Sequence, residues 1–263
     1  MVHIKVDVDE GILTVTISRP EKKNALTGEM YGALADALES TADNEDVRVV
    51  LIQADGDTFS AGSDLSEFSA EAIRDGVATS RGARFLQSVA RVKAPLVAAV
   101  QGKAIGVGAT VLLHCDYVVV ADDAQLSAPF VDLALVPEAA SSYLLPLRVG
   151  HVRAFEMFAL GQPVTARIAV EWGLVNRSVP VSALRTEARA VAKLIASKAS
   201  GALKATKLLM RDGKRISDQM DAEFEALYEQ LAGAETREAL AAFSERRRPD
   251  FSKIRRSDRQ SNE

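Results

Sequence analysis

Two glycine-punctuated segments about forty residues apart, Phe59 to Leu65 (FSAGSDL) and Gly102 to Gly108 (GKAIGVG), carry the clearest chemical signal in the chain. Val49-Val50-Leu51-Ile52 precedes the first and Pro95 to Val100 (PLVAAV) the second, so each loop leaves the end of an apolar, strand-like run. Backbone N–H groups at such ends have no ladder partner. Two amides aimed at one point stabilise a negative oxygen, which suits chemistry on a carbonyl that becomes an oxyanion, and a thioester is an electrophile of that kind.

The elements that must position these loops follow from periodicity. Val2 to Val8 and Ile12 to Ser18 alternate in hydrophobicity across Asp9-Glu10-Gly11, which predicts a hairpin. Thr27 then caps a helix through Met30, Leu34 and Leu38 to about Ala42, and Val47 to Ala54 reads as a buried strand. The alternation continues: Phe85 to Val92 helical, Leu96 to Val100 strand, Ala109 to Cys115 a short helix, Tyr117 to Ala121 strand. Strand, helix, strand in succession predicts an α/β protein with right-handed crossovers and a mainly parallel sheet, its ligand sites at the carboxyl ends of the strands. Beyond about Ser182 the pattern is amphipathic helix only, with Leu184, Ala188, Val191, Ala192 and Ile195 on one face, and that apolar surface needs the main body or a second subunit to cover it.

Composition narrows the partners. The 263 residues, 48% of them hydrophobic, suffice for one large core, and a net charge of −4 opposes a surface built to neutralise nucleic-acid phosphates. The acidic, alternating MVHIKVDVDEG start reads as a strand rather than a targeting segment, and no apolar run is long enough for a membrane span, so the expectation is a cytoplasmic protein. A single cysteine, Cys115, forbids an internal disulfide, and His3, His114 and His151 are scattered without ligand spacing, so no metal is expected. The basic runs Arg246-Arg247-Arg248 and Arg255-Arg256 fit either a solvated tail or a contact to a phosphorylated ligand.

Taken in order, Arg19-Pro20, Asn24-Ala25-Leu26, FSAGSDL, Gln101 to Gly108, Cys115-Asp116 and Phe243 to Phe251 (FSERRRPDF) make the chain resemble the crotonase, or enoyl-CoA hydratase/isomerase, family over nearly its whole length. The resemblance implies a crotonase-like (ClpP/crotonase) spiral of ββα units over residues 1–195, with the acyl-CoA site. It also implies a helical trimerisation region over 196–263, assembling as a homotrimer or a dimer of trimers. The ligand is an acyl-CoA thioester, with no separate cofactor. The oxyanion donors fall on the amides of Ser63 and Val107. Valine in place of the family's common glycine keeps the donor and restricts φ. Ala25, Ala61 and Leu65 are expected along the CoA path with Ser63 and Asp64, and Lys23 and Arg246 are phosphate contacts or surface charges. Taken alone, Asn24, Asp64 and Cys115 read as turn, cap or packing residues, and His114 as a satisfied helix end.

Which group moves a proton decides the reaction. The family's hydratases hold a water between two glutamates, and those positions fall here on Thr110 and Phe130, neither of which is a base near neutral pH. Glu138, in Leu135 to Tyr143 (LVPEAASSY), occupies the place of the single glutamate of the family's enoyl-CoA isomerases, and its string is similar to peroxisomal-type Δ3,Δ2-enoyl-CoA isomerases. Proline followed by glutamate is also an ordinary helix start. A helix dipole would lower the Glu138 pKa, while an apolar setting would raise it. The resemblance therefore implies a single-base isomerase. The other readings are an atypical hydratase with Glu138 or Asp132 activating water, another enolate chemistry, and a non-catalytic acyl-CoA binder. The stretch Ser66 to Arg84 is expected to shape the acyl pocket, as a lid.

Overall fold

The structure is a computed structural model describing residues 3–42, 44–67 and 80–254. Most of the expected lid, and Arg255-Arg256, therefore lie outside the described residues. Strands β1 (Ile4–Asp9) and β2 (Ile12–Ile17) form the expected antiparallel hairpin, with Asp9 opposite Ile12. Glu10 and Gly11, both at positive φ (53° and 77°), make the two-residue turn whose twist matches the strands. Helix α1 (Gly28–Glu39) starts where the Thr27 hydroxyl accepts from Met30 N at 3.3 Å. β3 (Val49–Ala54), α2 (Arg81–Arg91) and β4 (Leu96–Val100) follow. The chain then enters β5 (Lys103–Ile105), the single-turn helix α3 (Val107–Thr110) and a 3₁₀ turn over Val111–His114, before β6 (Tyr117–Ala121) and β7 (Gln125–Ser127).

Helices α4 (Ser141–Val149) and α5 (His151–Leu160), strand β8 (Val164–Thr165), α6 (Ala166–Glu171) and β9 (Arg177–Val179) complete the core. The main sheet has the order β1-β2-β3-β4-β6-β9 and is parallel from β2 onward. A second sheet, β5-β7-β8, sits beyond its carboxyl edge. Each passage through the main sheet thus spills into the second one, and that change of sheet puts both glycine loops at one edge.

The main sheet is covered on both faces, which is why its strands read as continuous apolar runs. One face joins α1 and α2 in the large core through Val50, Ile52, Ala98, Val118 and Val120. The other face, with Val49, Leu51, Val97 and Val119, receives Leu184, Ala188, Ala192 and Ala196 of α7 (Leu184–Ala196), spaced four apart so that one stripe of small side chains lies flat on the strands.

Three further helices, α8 (Ser200–Leu209), α9 (Gly213–Ala232) and α10 (Ala234–Ser244), form the helical end, and α9 packs on α2 and α4 of the same chain. Apolar side chains remain outside, among them Leu209 (89% exposed), Met210 (80%) and Val152 (78%). No helix among the described residues is long and apolar enough to cross a membrane.

An ion pair between the buried Lys207 and the exposed Asp116 anchors this end. Lys207 of α8 places Nζ 2.8 Å from Asp116 Oδ2 and 2.9 Å from the Ala94 carbonyl, and the same carboxylate accepts from Leu96 N at 2.7 Å. Breaking such a pair from the exposed side strands the buried charge. Asp116→Ala is expected to destabilise the fold by about 1.5 kcal/mol, measured by urea denaturation, and an unchanged midpoint would show that Lys207 is satisfied by the carbonyl alone.

Candidate active site

The two glycine loops are stitched together. Ser60 N donates to Lys103 O at 3.1 Å and Ile105 N to Ser60 O at 2.9 Å, so the first loop extends the edge of β5. On its other side Leu26 N donates to Gly62 O at 2.8 Å and Asp64 N to Leu26 O at 2.9 Å, which leaves Ser63 N–H outside the pairing. Among the described residues neither Ser63 N nor Val107 N donates to a protein acceptor. Glycine is required where the loops touch: a Cβ on Gly108 would lie 2.9 Å from Ser60 Cβ and 3.0 Å from its carbonyl oxygen.

Valine is tolerated at 107 because the unusual backbone falls one residue earlier, on Gly106 at φ 55° and ψ −123°. Helix α3 starts at Val107, two residues before the expected start, and becomes a 3₁₀ turn after four residues. Its macrodipole is correspondingly small, so any anion preference here lies in the direct amide donors.

Glu138 is brought to these loops by a bond that sequence reasoning did not foresee. Thr110, three residues past Val107 and so on the same side of α3, donates its hydroxyl to Glu138 Oε1 at 2.9 Å. The threonine found where the hydratases carry a glutamate is thus the partner of the remaining acid. Glu138 is half-buried as a residue with its carboxylate enclosed by protein. Burial pushes its pKa up to about 7, the Thr110 hydrogen bond opposes this, and the nearby Glu223 carboxylate adds to the rise. Phe130 adds an apolar wall with Phe158, ring centres 6.3 Å apart. Asp132, the other acid weighed as a water activator, is exposed.

The remaining expected residues divide. Ala61 N donates to Lys23 O at 2.9 Å, and the Ala25 carbonyl accepts from Arg19 Nη1 at 2.9 Å, so Lys23, Ala25 and Ala61 share one surface with Ser63 and with Leu65, which opens a 3₁₀ turn. The Lys23 side chain is exposed and pairs with Asp57 at 2.8 Å. The Asp64 carboxylate is used internally: it accepts from Arg19 Nη1 at 2.6 Å and from Ser66 Oγ at 2.6 Å, and although burial works against it, these bonds hold its pKa below the ordinary value. It braces the loop.

Arg246 is exposed past α10, and among the described residues nothing joins it to the loops. Asn24, fully buried, accepts from Arg19 N at 2.7 Å and donates to Asp55 O at 2.8 Å and Thr58 O at 2.7 Å, a staple for the first loop. Two side chains without a sequence signal also touch the loops around the site: Tyr31, whose hydroxyl meets Ser63 Oγ at 2.7 Å while its ring packs on Phe85, and Glu223 of α9, which accepts from Ala140 N and Ser142 N. Tyr31 falls inside the predicted helix after Thr27, and nothing in that spacing singles it out.

Unpaired amides on stitched loops, and a carboxyl group with a pKa pushed up to about 7 that is hydrogen-bonded to Thr110 one turn beyond the Val107 amide, make a site able to move a proton beside a carbonyl. The family model described as enoyl-CoA hydratase/isomerase matches residues 7–255, and the chain belongs to that family. It is 31% identical over 260 residues to the 1,2-epoxyphenylacetyl-CoA isomerase of Escherichia coli (strain K12), covering 95% of this chain and 98% of the relative. It is 34% identical over 212 residues to the mouse peroxisomal enoyl-CoA delta isomerase 3 (79% and 67%). Hydratases also occur among its relatives. A crystal structure of an enoyl-CoA hydratase/isomerase from Pseudoalteromonas atlantica T6c superposes with a TM-score of 0.90 at 43% identity, covering 95% of this chain and 99% of that one. The fold is therefore the crotonase fold expected from sequence.

The raised Glu138 pKa links to stability. The native carboxyl binds its proton more tightly than the unfolded chain, whose value is near 4.5, so its contribution to stability is full below that value and is lost as pH rises through about 7. Glutamine has no such dependence. The stability of Glu138→Gln minus that of the wild type, from urea denaturation, is expected to increase between about pH 5 and about pH 8. A difference that stays constant would mean the carboxyl titrates at its ordinary value.

Proposed function

We propose that the protein is a Δ3,Δ2-enoyl-CoA isomerase. Glu138 removes an α-proton from a 3-enoyl thioester, the double bond shifts to the α,β position, and the same carboxyl returns the proton at the γ-carbon. Ser63 N–H and Val107 N–H hold the dienolate oxygen meanwhile. The observation that carries this reading is the Thr110–Glu138 bond: the place of a second carboxylate is taken by a hydroxyl that serves the first. A single base suffices because no water enters the product, and Phe130 keeps that side of the site apolar. A pKa near neutrality lets one group both accept and give back a proton. Coenzyme A belongs to the substrate, and no separate cofactor takes part.

The test offers purified protein 3-enoyl-CoA and 2-enoyl-CoA separately. Conversion of the first without hydration of the second is expected, and Glu138→Gln should lower isomerase kcat by about a thousandfold with little change in KM. Hydration of 2-enoyl-CoA at comparable rates would favour the hydratase reading, and binding without turnover the non-catalytic one. The exposed Leu209, Met210 and Val152 support the trimeric assembly implied by the family pattern; sedimentation at micromolar concentration should show no monomer.

A further inference from the structure

The helical end reaches the loop behind Glu138 at two points. Glu223 of α9, only 5% exposed, accepts from Ala140 N at 2.6 Å through Oε2 and from Ser142 N at 2.9 Å through Oε1. The Ser142 hydroxyl also donates to Glu223 Oε1 and in turn accepts from Gln219 Nε2 at 2.9 Å. Separately, Arg211, just ahead of α9, donates to His114 Nδ1 at 2.8 Å, and the far side of that ring meets the Ala139 carbonyl at 2.7 Å. Because the guanidinium can only donate, Nδ1 is the acceptor and Nε2–H donates to Ala139. Burial and Arg211 push the His114 pKa down to about 3, in keeping with a neutral ring.

Between these two clamps sit Ala139 and Ala140, fully buried and both left-handed at φ 63° and 52°. Such a conformation costs an alanine on the order of 1 kcal/mol per residue, so it persists only where the surroundings impose it. It fixes the direction in which the preceding Glu138 side chain leaves the backbone.

We propose that Glu223 is a positioning residue for Glu138, holding the Ala139–Ala140 turn so that the carboxylate is aimed at the site from the helical end of the chain. This rests on the isomerase reading. Glu223 meets donors only, two amides and a hydroxyl, which favour its ionised form against the burial that pushes its pKa up to about 7. The other charged groups on the packed elements are engaged elsewhere. Arg148 of α4 donates to Leu113 O, and Arg215 of α9 lies over the Tyr143 ring. Arg84 of α2 pairs with Asp36 and Glu39, and Glu238 of α10 pairs with Arg247. The Glu223 charge raises the proton affinity of Glu138.

Wild type, Glu138→Gln, Glu223→Gln and Ser142→Ala are compared on 3-enoyl-CoA across pH, with an infrared titration of the Glu138 carboxyl in the free proteins. For Glu223→Gln, kcat should fall about tenfold or more while KM stays within about twofold. The acid limb of the profile and the infrared midpoint should both move to lower pH, because a neighbouring negative charge is gone. Ser142→Ala keeps that charge, so kcat should fall about threefold with the limb in place. A folded Glu223→Gln protein with wild-type kcat, limb and midpoint overturns the proposal; if that variant does not fold, wild-type kcat in Ser142→Ala overturns it. Failure of the isomerase reading shows differently, as an inactive wild type or an active Glu138→Gln, and the infrared midpoint then still decides the role of Glu223.

Discussion

The site depends on keeping one carboxylate dry and still ionisable. Burial alone would drive Glu138 to take up a proton, and the hydroxyl of Thr110 pulls the other way with a single hydrogen bond. Burial prevails, and the balance rests near neutrality. The sequence suggested a different contest, between an apolar setting and the dipole of the following helix. That helix starts only at Ser141, beyond two left-handed residues, and its leading amides are occupied by Glu223. The anion that the helix start favours is Glu223, and Glu138 is left to burial.

This division ties the helical end to the catalytic edge. Lys207 reaches Asp116, Arg211 reaches His114, and Glu223 reaches the start of α4, all from the helical end of the chain. Each tie includes a buried side chain, Lys207, His114 or Glu223, that would be costly to leave unpaired. The helices beyond α7 therefore belong to the architecture of the site as well as to any surface for assembly. A loop at a sheet edge is open to solvent by construction, and a second layer of packed polar groups gives its backbone one conformation.

What could be read from the chain follows the range of the interactions. The β1–β2 hairpin, β3, β4, β6, α1 and α7 were legible because alternation or a four-residue stripe is written locally. The glycine loops were legible as motifs, and the stitching of Ser60 to β5 shows why those glycines are needed. β5, β7 and β8, two or three residues each, have no periodicity to detect and exist only as a layer laid against the main sheet. Pro146 interrupts the local signal of α4, although its missing N–H is tolerated in the fold. Thr110 and Glu223 are separated from their partners by 28 and 83 residues, and no local pattern encodes either bond. Thr110 could be read as a lost carboxylate, and only the fold shows it as a donor.

Thr110 and Glu138 are best understood as one choice. A glutamate at 110 would face the Glu138 carboxylate from a place where the present side chain makes a 2.9 Å contact, and two acids that close cannot both ionise in a dry site. One would hold its proton well above neutrality and the pair would share a charge. A hydroxyl at that position donates to the carboxylate in its charged form and donates elsewhere when the acid is neutral, as the Val107 carbonyl at 3.5 Å permits. It therefore supports both protonation states of Glu138, as the proposed single-base shuttle requires. On the proposed isomerase reading Phe130 fits the same argument: with no water to activate, an aromatic ring at the second hydratase position, packed on Phe158, keeps that side of the site apolar.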